Sequence, residues 1–200
     1  MAKRVAEKTR KSKETEIRVR LNLDGEGKTK IGTKIGLLDH MLELFAFHGL
    51  FDLEIEAKGD LQVDLHHTNE DIGIVLGQVF KQALSDKKGI KRFGYTSVPM
   101  EDVLAKVTVD ISGRGHFTSG EDVQFPHDKK EKYSKIYFDH FWESFAKQSG
   151  INLIIEISGL TADLHTLLEP IFKALGLALR QAVEIDPRRK DVPSTKGIID

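Results

Sequence analysis

The chain has no cysteine among its 200 residues, so it carries no disulfide framework, no thiolate metal site and no cysteine nucleophile. Any metal it binds must be held by His, Asp or Glu, a donor set that suits Mn, Fe, Zn or Co rather than soft-ligand ions. Long apolar runs are missing too: none approaches the roughly 20 residues that a bilayer requires, which excludes a membrane-spanning helix. Excess charge is also lacking. Thirty basic residues against 31 acidic ones leave a formal net charge of −1, so there is no electrostatic reason to expect nucleic acid as a partner. The opening MAKRVAEKTRKSKETE is basic without an apolar stretch, and its glutamates argue against a transit peptide. No targeting segment is expected, and a cytoplasmic location fits. With 40% hydrophobic residues the chain can bury one globular core, or two small halves fused tightly together.

Strand and helix signals alternate along the chain. EIRVRLNL, residues 16–23, places Ile17, Val19, Leu21 and Leu23 at period two, a strand with one buried face, and DGEGK follows as a turn. LLDHMLELFAF, residues 37–47, has helical spacing, FDLEIEA at 51–57 alternates again, and a helix is expected from Ile72 to the DKKG stop. The same order then recurs. VLAKVTVDIS at 103–112 is strand-like, YFDHFWESFAKQSG at 137–150 is helical, INLIIEI at 151–157 is a strand, and IFKALGLALRQAV closes as a helix. This is an internal duplication. His40 pairs with His140 at an offset of 100 residues, while His66 with His165 and Glu70 with Glu169 are both 99 apart.

The duplication bears on DLHHTNED, residues 64–71. A lone His near a Glu is ordinarily a surface polar pair or a satisfied core histidine. Here each half has a His inside an otherwise apolar helix and an H-x-x-x-E pair. Positions i and i+4 share a helix face, so His66 with Glu70, and His165 with Glu169, can each present an imidazole and a carboxylate to one ion. His67 lies about 100° further round and is expected to face a different ion. The competing possibility is strongest in the second half, where Thr166-Leu-Leu-Glu169 has the form of a capping box that would commit Glu169 to backbone amides. Pro170 places the start of that helix close to His165.

Seven ordered segments carry a resemblance. RKSKETEIRVRLNLDG, GLLDHMLELFAFHG, GDLQVDLHHTNEDIGIVLGQ, KRFG with VPMEDVLAKVTVDISGR, DHFWESFAKQSGI, EPIFKALGLALRQAVEID and the tail VPSTKG together resemble the imidazoleglycerol-phosphate dehydratases of histidine biosynthesis, over nearly all of the chain. The resemblance implies an α/β fold of the α+β two-layer kind: a tandem duplication of a ribosomal-protein-S5-domain-2-like unit, each half a sheet packed on two helices. The first repeat is expected over residues 1–95 and the second over 96–200, fused into one compact unit. The resemblance further implies a homo-oligomer, a 24-mer, with a pair of Mn ions at subunit contacts. By position, His40, His66 and Glu70 are implied as ligands of one ion, and His140, His165, Glu169 and His67 of the other. Glu14 is implied as the acid–base group; from spacing alone it would be a solvated charge beside Lys13. Arg92, Arg114, Ser194 and Lys196 match positions that bind the substrate phosphate, a role suited to the planar guanidinium fork with a hydroxyl and an ammonium. His48 is expected either to touch substrate or to favour the C-terminal end of its helix. His116 and His127 match nothing and are expected at the surface, as is the run HDKKEK at 127–132.

The activity so implied is the dehydration of imidazole glycerol phosphate to imidazole acetol phosphate, through a deprotonated ring flanked by two cations and a diazafulvene-like intermediate. Three positions and one segment depart from the family pattern. Thr166 stands where a second HHxxE would place His, Leu65 where an acidic residue is usual, and Leu44 where Gln is frequent. The GLTADLH approach also differs from the family's usual one. One ion is therefore expected to bind more weakly, and Thr166→His is expected to raise Mn affinity unless the segment has been rebuilt. A degenerate relative that binds ligand without turnover is the rival expectation. A di-metal oxidase or storage bundle is a third, and it leaves Arg92, Arg114 and the PSTKG tail unexplained.

Overall fold

The computed structural model describes residues 3–120, 125–126 and 132–199. His127 and most of the HDKKEK run lie outside the described residues. The first repeat is built from β1 (Val5–Lys11), β2 (Thr15–Asn22), β3 (Thr29–Gly32), α1 (Gly36–Gly49), β4 (Asp52–Gly59) and α2 (His66–Leu84). The second repeats the order with β5 (Phe93–Met100), β6 (Val103–Asp110), β7 (His116–Ser119), α3 (Lys135–Ser149), β8 (Asn152–Ser158) and α4 (Leu164–Val183). Two four-stranded sheets follow, ordered β1-β2-β4-β3 and β5-β6-β8-β7, and in each the third strand runs parallel to its neighbour while the other pairings are antiparallel. The second sheet opens at Phe93, a few residues ahead of the expected junction at 95/96.

Each sheet turns one face inward. On β2, Ile17, Val19 and Leu21 are buried while Arg18 and Arg20 point outward, where Arg18 meets Glu7 at 2.8 Å and Arg20 meets Glu54 at 2.8 Å across the strands. α2 covers the first sheet through β1 and β2, and α4 covers the second through β5 and β6. The helices also pack on each other across the repeats: α1 lies on α4, and α2 on α3. The four helices are therefore enclosed between two sheets, and α4 buries most of its residues while keeping one polar face that carries His165, Glu169, Lys173 and Arg180.

Close approach of these helix pairs depends on glycine. A Cβ built on Gly77 of α2 would lie 2.6 Å from the carbonyl oxygen of Phe145 on α3, and one on Gly176 of α4 would lie 2.3 Å from that of Phe45 on α1. Gly77 and Gly176 are repeat equivalents, as are Phe45 and Phe145, so one packing device was duplicated with the chain. Phe45, Trp142, Phe145 and Phe172 fill the space around these crossings.

The helices begin earlier than apolar periodicity alone marks them. α2 starts at His66 rather than Ile72, with Asp64 accepting the His66 amide at 2.7 Å just ahead of it, while α4 starts at Leu164, close to His165 as Pro170 implied, capped by Asp163 accepting the Thr166 amide at 2.7 Å. Asp163, not Thr166, is the N-cap of α4, so the expected capping box does not form. Pro170 lies within α4, one turn beyond the position where proline is ordinarily accommodated, and cannot donate to the Thr166 carbonyl.

Gly176→Ala should therefore destabilise the fold by about 1–3 kcal/mol through overpacking against α1. Gly36→Ala, where a Cβ meets nothing within 4 Å, should be neutral or stabilising in the same urea titration.

Candidate active site

The crossed helix pairs decide which ligand-type side chains meet. On the α1–α4 pair, His165 Nε2 lies 2.7 Å and His40 Nε2 3.4 Å from the same Glu169 oxygen, and the two imidazoles stack with centroids 4.9 Å apart. One ligand atom from each of these three residues falls within 4.8 Å of the others. On the α2–α3 pair, His66 Nε2 is 3.3 Å from Glu70, the His66 and His140 rings meet edge to face at 4.8 Å, and all three residues line a cavity of about 370 Å³. The expected grouping of His40 with His66 and Glu70, and of His140 with His165, Glu169 and His67, thus does not occur within one chain. Within the chain, each first-helix histidine joins the His/Glu pair of the other repeat, because helices pack across the repeats.

Electrostatics tighten the first cluster. Burial by itself would raise the Glu169 carboxyl, but hydrogen bonds from Lys173, His40 and His165 outweigh it and bring the group down to about 2. Lys173 follows Glu169 by four residues and was absent from the expected site; the i, i+4 spacing was the signal for it. Burial, assisted by the Lys173 charge, lowers the His48 imidazole, while Glu169 opposes the shift. His48 shares α1 with His40, about two turns further along the helix.

The residues present suit a divalent ion. Imidazole and carboxylate donors converge without a thiolate, as borderline-to-hard cations require. His140 Nδ1 is buried with no hydrogen-bond partner among the described residues, a polar atom left over by their contacts.

His67 faces away from the His66 cluster's cavity and donates from Nδ1 to Asp60 Oδ2 at 2.9 Å, a bond that raises the imidazole's proton affinity despite some desolvation. The Glu14 charge contributes to the same shift. It sits in the β1–β2 turn, where the Ser12 hydroxyl accepts the amides of Glu14 (3.1 Å) and Thr15 (3.0 Å). The hairpin is tied to α2 by Asp71, which accepts from both Arg10 and the Thr15 hydroxyl.

The remaining expected residues come together at the far end of the second sheet. Arg92, Arg114, Ser194 and Lys196 line one cavity of about 240 Å³, with Ser112 added. Arg92 donates to Asp110 through Nε (2.6 Å) and Nη2 (3.0 Å) and to the Pro193 carbonyl through Nη1 (3.1 Å), which leaves two of its five N–H groups unspent. The first repeat has the same clip, Arg4 on Asp24 with a bond to the Val183 carbonyl, so the Arg–Asp pair belongs to the fold as well as to the cavity. Arg114 and Lys196 are exposed. His116 is exposed at the start of β7, as expected of a surface residue.

The profile of the imidazoleglycerol-phosphate dehydratase family matches residues 33–179. The chain belongs to that family. It is 50% identical to the imidazoleglycerol-phosphate dehydratase of Pelobacter propionicus over 98% of its own length and 99% of the relative's. Identity to the Methanocella arvoryzae enzyme of that name is 51%, over 95% and 96% of the two chains. The crystal structure of the Staphylococcus aureus dehydratase superposes with a TM-score of 0.79 at 31% identity, covering 91% of this chain and 99% of that one. The Pyrococcus furiosus enzyme in complex with (S)-C348 gives 0.80 at 34% identity, with 96% and 99% covered. The chain is accordingly a hydro-lyase, an imidazoleglycerol-phosphate dehydratase of histidine biosynthesis, and the α+β fold with its tandem repeat is that of the family. No helix among the described residues is long and apolar enough to cross a membrane.

The sign of the Glu169 shift sets a pH dependence. A carboxylate depressed from 4.5 to about 2 contributes stability that is present above about pH 4.5 and is lost as pH falls toward 2. In urea unfolding without added metal, the stability difference between wild type and Glu169→Gln should shrink as pH falls through that window.

Proposed function

We propose that the chain dehydrates imidazole glycerol phosphate to imidazole acetol phosphate in a metal-dependent reaction, with Mn as the ion. The observation that carries this reading is the convergence of His40, His165 and Glu169 from opposite repeats. His66, Glu70 and His140 form the companion group, with His67 as a further ligand. These groups are completed where subunits meet in a homo-oligomer, a 24-mer of cytoplasmic location. When bound, divalent cations lower the pKa of a coordinated imidazole and so help an electron-rich ring expel hydroxide.

The chain's own residues supply the rest. Arg92 offers its two unspent N–H groups, Arg114 its guanidinium, Ser194 a hydroxyl and Lys196 an ammonium to the phosphate, fixing the substrate at its far end. Glu14, held by the Ser12 turn and the Asp71 tie, moves protons at the reacting carbons. The C–H proton next to the departing hydroxyl is taken up, the hydroxyl leaves as water, and the resulting enol is reprotonated at carbon to give the ketone. His48 orients the substrate beside the His40 cluster.

One observation favours a second reading, a relative that binds ligand without turnover. Thr166 places a hydroxyl where the family pattern has an imidazole, so the ligand expected at that position has no replacement there. Mn-dependent formation of imidazole acetol phosphate separates the two; no turnover at saturating Mn and substrate would favour the binder. For the active enzyme, Arg114→Ala should raise KM on the order of 10- to 100-fold, the equivalent of about 1.5–3 kcal/mol for a charged hydrogen bond, with a smaller change in kcat. Steady-state kinetics at fixed Mn measures both.

A further inference from the structure

The two repeats overlay residue by residue on the approach to α2 and α4, where GDLQVDLHH, residues 59–67, matches SGLTADLHT, residues 158–166. In that register His67 falls on Thr166 and Asp60 on Gly159. The second repeat thus lacks both members of a pair that touch in the first. There, Asp60 Oδ2 accepts from His67 Nδ1 at 2.9 Å, the Asp60 side chain is 17% exposed, and its other oxygen is buried without a partner among the described residues. A carboxylate behind Nδ1–H fixes the tautomer and turns the Nε2 lone pair outward, the state in which an imidazole binds a metal.

The second repeat has no room for that support. Gly159 has φ +93°, and a Cβ there would lie 1.7 Å from the Asp102 carbonyl oxygen. Thr166 carries a hydroxyl in place of the ring, while its backbone amide donates to Asp163 at 2.7 Å.

We propose that Asp60 is a positioning residue that acts through His67, and that the Asp60–His67 pair is a unit found only in the first repeat, so the chain carries one carboxylate-supported and one unsupported imidazole position. The proposal rests on His67 being a metal ligand. Its consequence runs against the simpler expectation for Thr166→His. An imidazole introduced there has no carboxylate behind it, so adding the ring alone does not restore the missing ligand.

The test is a titration of the full-length protein with Mn(II), with free ion followed by electron paramagnetic resonance and thermal unfolding run in parallel. The wild type should show a tighter and a weaker class of site. Asp60→Ala should weaken the tighter class about 10- to 100-fold, Asp60→Asn, whose carbonyl can still accept from Nδ1–H, should recover part of the loss, and Thr166→His should move neither class more than about threefold. A Thr166→His protein that binds ten times more tightly overturns the proposal, as does an Asp60→Asn curve that superimposes on those of both wild type and Asp60→Ala. Wild-type protein that binds no Mn(II) overturns the metal reading itself, and so distinguishes the two failures.

Discussion

The architecture depends on how closely two helix backbones can approach across the repeat boundary. Gly77 and Gly176 sit under the carbonyl oxygens of Phe145 and Phe45, where any side chain would collide. That contact sets the α2–α3 and α1–α4 pairs, and the pairs bring His140 to His66 and Glu70, and His40 to His165 and Glu169. The donor sets are therefore a consequence of packing. Neither repeat could assemble its three residues alone, because His40 on α1 and His140 on α3 each join a His/Glu pair carried by the other half.

Charge placement serves the same end. Glu169 is largely enclosed, which by itself would favour its neutral form, yet Lys173 and two imidazoles keep it ionised. A carboxylate held so is ready to accept a cation without first losing a proton. The Asp71 tie to Arg10 and Thr15 fixes the β1–β2 hairpin on α2 in a similar way, so the turn that carries Glu14 is anchored to the helix that carries His66, His67 and Glu70. At the opposite end, the Arg92–Asp110 clip orients a guanidinium that would otherwise sample many rotamers, while Arg114 and Lys196 stay open to solvent.

Much of this was legible in the sequence, and the rest was hidden for identifiable reasons. Period-two burial marked β2, β4, β6 and β8, which lie in sheet interiors with one covered face. The four other strands were not marked: β1 buries only Ala6, while β3, β5 and β7 bury few side chains. The start of α2 was obscured because its first turns carry His, Thr, Asn and Glu rather than an apolar stripe, whereas Pro170 marked the start of α4 near His165. Constant offsets revealed the duplicated donors but could not say which would meet, since helix pairing across the repeats is a tertiary property. Lys173 and Asp60 were readable in principle, one from its i, i+4 spacing and the other from the missing partner in the second repeat.

The central claim is that donors from opposite repeats converge within one chain through the α1–α4 pair. Anomalous scattering from Mn-soaked crystals, recorded at the manganese edge, tests it most directly. The account predicts a peak bounded by the side chains of His40, His165 and Glu169 of a single subunit. A map with no peak there, or with His40 turned away from Glu169, would contradict it.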